Sequence, residues 1–202
     1  MDIAVVATTF ALIFPVELPD KTFVASLVLA TRYRPLLVWV GVSLAFLVQC
    51  LVAVTAGGLL SLLPEPVVVA ASAALFLVGA VVLWRGARNA DADEAEAEEE
   101  FGGRTTGDAH GLRVVATSFG VLFLAEWGDL SQLLTAGLAA RYQDPVSVFA
   151  GSWLALVTVA GLAAVLGRTL LRHVRLGTIR RVGAGVCLVL AGLATYDLLS
   201  SL

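Results

Sequence analysis

Two short stretches, Glu17-Leu18-Pro19-Asp20-Lys21-Thr22 and Glu126-Trp127-Gly128-Asp129-Leu130-Ser131, each drop two carboxylates into an apolar run long enough to cross a bilayer. A charged side chain at the centre of a spanning helix costs roughly 2.5 to 3.5 kcal/mol on insertion scales, so four at that depth cost about 10 kcal/mol or more if nothing offsets them. Groups kept at that cost mark a functional site. Together with the hydroxyls of Thr22 and Ser131, the amide of Gln132 and the backbone carbonyls that Pro15 and Pro19 release, they form an all-oxygen donor set. Hard divalent cations such as Ca2+ and Mn2+ suit such a set. The carboxylates must shed protons before they ligate a metal. Cation and protons therefore compete for the same groups, which is the chemistry of an exchanger loaded alternately from two sides. Lys21, the only lysine of the chain, follows Asp20 directly. It is placed either to compensate charge when no cation is bound or to snorkel along a wet cavity.

The elements that must position these groups are membrane helices. Apolar residues make up 59% of the 202-residue chain and charged ones only 14%, outside the range of soluble globular domains. The apolar runs are continuous and lack the ten-residue alternation of a membrane barrel, so the fold class is all-α and polytopic. Six spans are expected, over about 3–29, 36–62, 67–84, 114–140, 146–171 and 182–199. Between 89 and 112 the composition turns to Asp91, Asp93, Glu94, Glu96 and Glu98 to Glu100, a block too polar to fold alone. With no basic region ahead of the first apolar run, no cleaved leader is expected. The net charge of -3 comes largely from the acidic block, and no nucleic-acid partner is expected. Cys50 and Cys187 sit in apolar runs and read as packing residues.

The two halves repeat. Glu17, Asp20, Arg32 and Tyr33 recur at one fixed offset as Glu126, Asp129, Arg141 and Tyr142, and Gly41 matches Gly151 after a one-residue insertion. The expected organisation is a three-helix repeat over 1–88, an acidic linker over 89–112 and a second repeat over 113–202. Three spans per repeat is an odd number, so the second copy enters the bilayer inverted, the plan of many secondary transporters with a midplane site. Arginine supports it: one set of connections holds Arg32, Arg34, Arg85, Arg88, Arg104, Arg113, Arg168, Arg172, Arg175, Arg180 and Arg181, the other only Arg141. The Arg-rich side should be cytoplasmic, with both termini outside and the linker inside.

The paired stretches resemble the Glu-x-Gly-Asp-(Lys/Arg)-(Thr/Ser) signatures of the Gdt family of membrane cation/proton exchangers. That resemblance implies six spans in two inverted repeats and Mn2+ or Ca2+ exchanged for protons, with no resident cofactor and no enzymatic reaction. It also implies a cation held by Glu17, Asp20, Glu126 and Asp129 with Thr22, Ser131 and Gln132 beside them. The chain departs from the pattern at Pro19, where the family usually has Gly, and at Leu130, where it has a basic residue, so Lys21 has no counterpart. The expected partners are a divalent cation and the lipid bilayer, in a bacterial cell membrane; a homo-oligomer is left open. Two other readings compete. One is a non-transporting membrane scaffold whose carboxylates only fix helix packing. The other is an intramembrane aspartyl protease built on Asp20 and Asp129, in which Glu17 and Glu126 would have no task.

Overall fold

In the computed structural model, residues 1–18, 21–87, 99, 110–173, 181, 184–185, 187–189, 191–193, 195–196 and 199 are described, with backbone alone at 21–22, 65, 86 and 166–173. Pro19, Asp20, most of the acidic linker, the basic turn at 174–180 and much of the expected sixth span lie outside the described residues. Among the described residues seven helices are bounded: α1 (Ile3–Glu17), α2 (Lys21–Arg32), α3 (Pro35–Leu60), α4 (Glu65–Gly86), α5 (Leu112–Ala125), α6 (Leu130–Tyr142) and α7 (Pro145–His173). The described residues contain no strand. The chain is an all-α polytopic membrane protein. Three helices, Pro35–Leu60, Pro66–Arg85 and Pro145–Val165, are each long and apolar enough to cross a membrane. The α5–α6 pair, bent by 75°, makes a fourth if taken as one span. The expected first span is two shorter apolar helices, α1 and α2, on either side of residues 19–20.

Local chemistry sets the ends. The Asp2 carboxylate accepts from the Ala4 amide at 2.8 Å and caps α1. Proline stands in the first turn of α3 and α4, where its missing N–H costs nothing. Gln143 closes α6 in the left-handed region at φ 52°, and Pro145 opens α7 two residues later.

The helices run between two ends of the bundle. At one end the Asp2 amide donates to Ser147 Oγ (2.7 Å) and Asp144 Oδ2 (3.3 Å), so the start of α1 and the α6–α7 connection lie together. From there α1 packs along α7, and α5 packs along α3 from the opposite end. The two contacts are built alike. A Cβ on Gly151 would strike the Val6 carbonyl and Thr9 Cβ, and one on Gly41 would strike the Val115 carbonyl and Ser118 Cβ. Val6 and Thr9 stand at the repeat offset from Val115 and Ser118. Only glycine admits so close a backbone approach at these two crossings.

Trp39 and Trp153 tie the two central helices together. Trp39 Nε1 on α3 donates to the Val157 carbonyl at 2.9 Å, and Trp153 Nε1 on α7 donates to the Ser43 carbonyl at 3.0 Å. They are cross-braces that hold α3 against α7.

Candidate functional site

Glu17 ends α1 and Glu126 caps the end of α5, 1% and 4% exposed, while half-buried Asp129 caps the start of α6. One carboxylate oxygen from each of these three lies within 4.8 Å of the other two. Oxygens facing each other across a Ca2+ bound at 2.3 to 2.6 Å stand up to about 5 Å apart, so the cluster has the dimensions of a cation site. Two unit charges at that separation repel by roughly 3.5 kcal/mol at an effective dielectric constant of about 20. Three ionised carboxylates this close repel one another, which favours a cation among them.

The second half shows how the chain makes such a point. The Glu126 amide closes the last turn of α5 on the Leu122 carbonyl at 3.0 Å. Gly128 then takes φ +81°, which costs other residues about 1 to 2 kcal/mol, and the chain turns through the 75° bend. The Asp129 carboxylate accepts from the Ser131 amide (3.3 Å) and from Ser131 Oγ (3.4 Å). Glu126 and Asp129 are therefore not stacked on one helical face, as their spacing suggests. They converge because the helix stops between them, and Gly128 creates the break outright instead of merely loosening a continuous helix.

Two glutamines fix this break. Gln132 accepts from the Gly128 amide at 3.2 Å and donates to the Glu126 carbonyl at 2.5 Å, spanning the loop with both ends of its amide. Gln49, on α3 and 2% exposed, donates to the Phe123 carbonyl at 3.3 Å, one of the last carbonyls of α5. Sequence reasoning passed over Gln49. The available signal was a lone amide in the apolar run Phe46-Leu47-Val48-Gln49-Cys50-Leu51. Cys50 beside it lies within electrostatic reach of Glu17.

The first half is lined differently. Phe23, Val159 and Ala163 form a buried apolar cluster, with Phe14 and Leu18 packed on it. Of the residues expected at the site, Glu17, Glu126 and Asp129 come together, Ser131 contacts Asp129, and Gln132 is engaged in the loop. Asp20 and the side chains of Lys21 and Thr22 lie outside the described residues.

Comparison with known proteins points the same way. The family model described as "Divalent cation/proton antiporter GDT1" matches residues 5–91 and 114–201. The chain is 32% identical to the GDT1-like protein sll0615 of Synechocystis over 83% of its own length and 84% of the relative's. It is 30% identical, over 94% and 88% of the two lengths, to a Vibrio cholerae protein named "Putative manganese exporter". It is 33% identical to GDT1-like protein 1, chloroplastic, of indica rice over 82% of this chain, and spans 53% of that longer protein. No solved structure matches it. A family defined by cation/proton antiport, and by no enzymatic reaction, removes the protease reading. This chain belongs to the GDT1 family of divalent cation/proton antiporters, and it is a membrane transporter of divalent cations.

Proposed function

We propose that the protein exchanges Mn2+, Ca2+ or both for protons at a carboxylate site near the bilayer midplane. The observation that carries this reading is the convergence of Glu17 with Glu126 and Asp129, from stretches far apart in sequence, to within 4.8 Å. Asp20, which the repeat offset pairs with Asp129, is the fourth carboxylate, and the hydroxyls of Thr22 and Ser131 complete the oxygen set. Gln132 acts by holding the loop, since both ends of its amide are already engaged. Lys21 balances charge in the cation-free state. Manganese as cargo is supported by the name of the Vibrio cholerae relative.

The site lies between two three-helix repeats, 1–88 and 113–202, inverted in the membrane and joined by the 89–112 linker. The two separate matches to the family model and the paired glycine crossings support this division. Described arginines favour one orientation: Arg32, Arg34, Arg85 and Arg113 flank the end where α3 and α5 begin, Arg141 the other. The Arg-rich end is cytoplasmic by the positive-inside rule, in a bacterial cell membrane. Exchange then follows from competition. Protons released on one side leave charges that capture a cation, and reprotonation from the other side expels it.

The test is Mn2+ and Ca2+ uptake into proteoliposomes across an imposed pH gradient, for the parent and for Asp129→Asn. Uptake of at least one ion that follows the gradient and is lost in the variant is expected. Equal flux in parent and variant would overturn the assignment.

A further inference from the structure

The two helix breaks are equivalent by the repeat, yet their surroundings differ in polarity at key matched positions. Phe23 stands at the offset of Gln132 and Leu18 at that of Trp127; on the packing helices Val159 matches Gln49 and Ala163 matches Ala53. Where the second break has amides bonded to backbone, the first has a closed apolar cluster of Phe23, Val159 and Ala163, all at most 1% exposed. Exposure divides the same way at two described pairs: Trp127 is 58% exposed against half-buried Leu18, and Gln132 is half-buried against buried Phe23, while Glu17 and Glu126 are both buried and Asp129 is half-buried.

We infer that Phe23, packed on Val159 and Ala163, is the barrier residue that seals the carboxylate site on the α2 side while the site is open through the 127–129 loop. This rests on the antiporter reading above. Val159 is at the midpoint of α7 and Ala163 one turn beyond it, away from the Pro145 end. With Phe23 on α2 and Ala163 past the α7 midpoint, the cluster extends from the level of Glu17 towards the end of the bundle to which α2 and α7 lead. A constriction lined only by apolar side chains excludes water, and with it hydrated cations and protons. An antiporter needs such a seal, because a site wet from both sides dissipates the gradient it should exchange. At the second break Gln132 and Gln49 hold the corresponding places, so polar side chains line that side and Gln132 is half-buried. The barrier lies at one break only, and the two routes to the ion are unequal.

The test uses the full-length protein in vesicles carrying a pH gradient and no divalent cation. Parental vesicles should hold the gradient, while Phe23→Gln, which copies the second half, should dissipate it about tenfold faster, as should Val159→Gln. Phe23→Leu, which restores an apolar filling, should return the decay towards the parental rate. A Phe23→Gln protein that inserts and holds the gradient as the parent does would overturn the barrier. If the glutamine variants do not insert, thiol protection decides. In a Cys50→Ala, Cys187→Ala background, Trp127→Cys should react with a water-soluble thiol reagent at least tenfold faster than Ala163→Cys. Equal rates would refute the seal. A parent that moves no cation under any gradient would instead count against the antiporter reading.

Discussion

Compared across the repeat offset, the two breaks share their carboxylates, but amides stand beside one where apolar side chains stand beside the other. Glu17 and Glu126 both end a helix and both are buried against the ion cluster. Further out the halves also agree, in the glycine crossings of α1 on α7 and α5 on α3. The difference lies between these two layers. Gly128 turns the chain at φ +81°, whereas the position at its offset is Pro19, whose ring holds φ negative. The backbone solution of one half is therefore closed to the other. The comparison teaches that the acids and the close helix crossings recur at the offset, while the side chains around the two breaks differ in polarity.

The largest expected effect tests where the halves agree. Glu17→Gln and Glu126→Gln should each lower cation exchange by at least about 100-fold, since loss of even an outer partner costs a metal site 10- to 100-fold. Initial uptake rates in proteoliposomes check this, and a loss in one variant but not the other would break the equivalence. Next comes a residue whose matched position, Val159, is apolar. Gln49→Leu removes the donor to the Phe123 carbonyl and should raise the half-saturating cation concentration about tenfold with the maximal rate little changed. Unchanged affinity with reduced abundance would reduce Gln49 to packing.

A smaller effect addresses the backbone. Gly128→Ala forces a side chain into the left-handed region and should cost about 1 to 2 kcal/mol in thermal or denaturant unfolding. No loss would mean that the loop relaxes freely and its geometry is not fixed. The smallest concerns the outer end of the bundle. Asp144 is held below its ordinary pKa of 3.8 by hydrogen bonds from the Ser147 hydroxyl, from the Ser147 amide and from the Asp2 amide. A carboxylate so depressed contributes stability above its ordinary value and loses it as the pH falls through the depressed one. Asp144→Asn should therefore lower the melting temperature slightly at neutral pH, and parent and variant should converge below about pH 3.8. A difference that persists in acid would exclude the ionised carboxylate as its source.

Much of this was legible in the sequence because charge in an apolar run is costly enough to stand out. The membrane helices and the candidate acids, of which Glu17, Glu126 and Asp129 are seen to come together, follow from that cost. The 75° bend did not follow. A spacing of three residues fits one face of a helix, and nothing in Glu126-Trp127-Gly128-Asp129 says that Gly128 will take a positive φ and separate α5 from α6. Gln49 and the two tryptophan braces were missed for a related reason. An amide or an indole in an apolar span is tolerated singly, and its partner is a backbone carbonyl on another helix, which has no signature in sequence. The inequality of the two breaks was visible as Phe23 against Gln132, but its meaning depended on Val159 and Ala163 standing beside Phe23.

The central claim is that acids from both halves hold one ion in exchange for protons. Mn2+ titration of the purified protein with simultaneous recording of proton release tests it most directly, for the parent, Glu17→Gln and Glu126→Gln. The account requires one saturable site that releases protons in the parent and is lost in either variant. A parental site that survives in one variant, or binding without proton release, would contradict it.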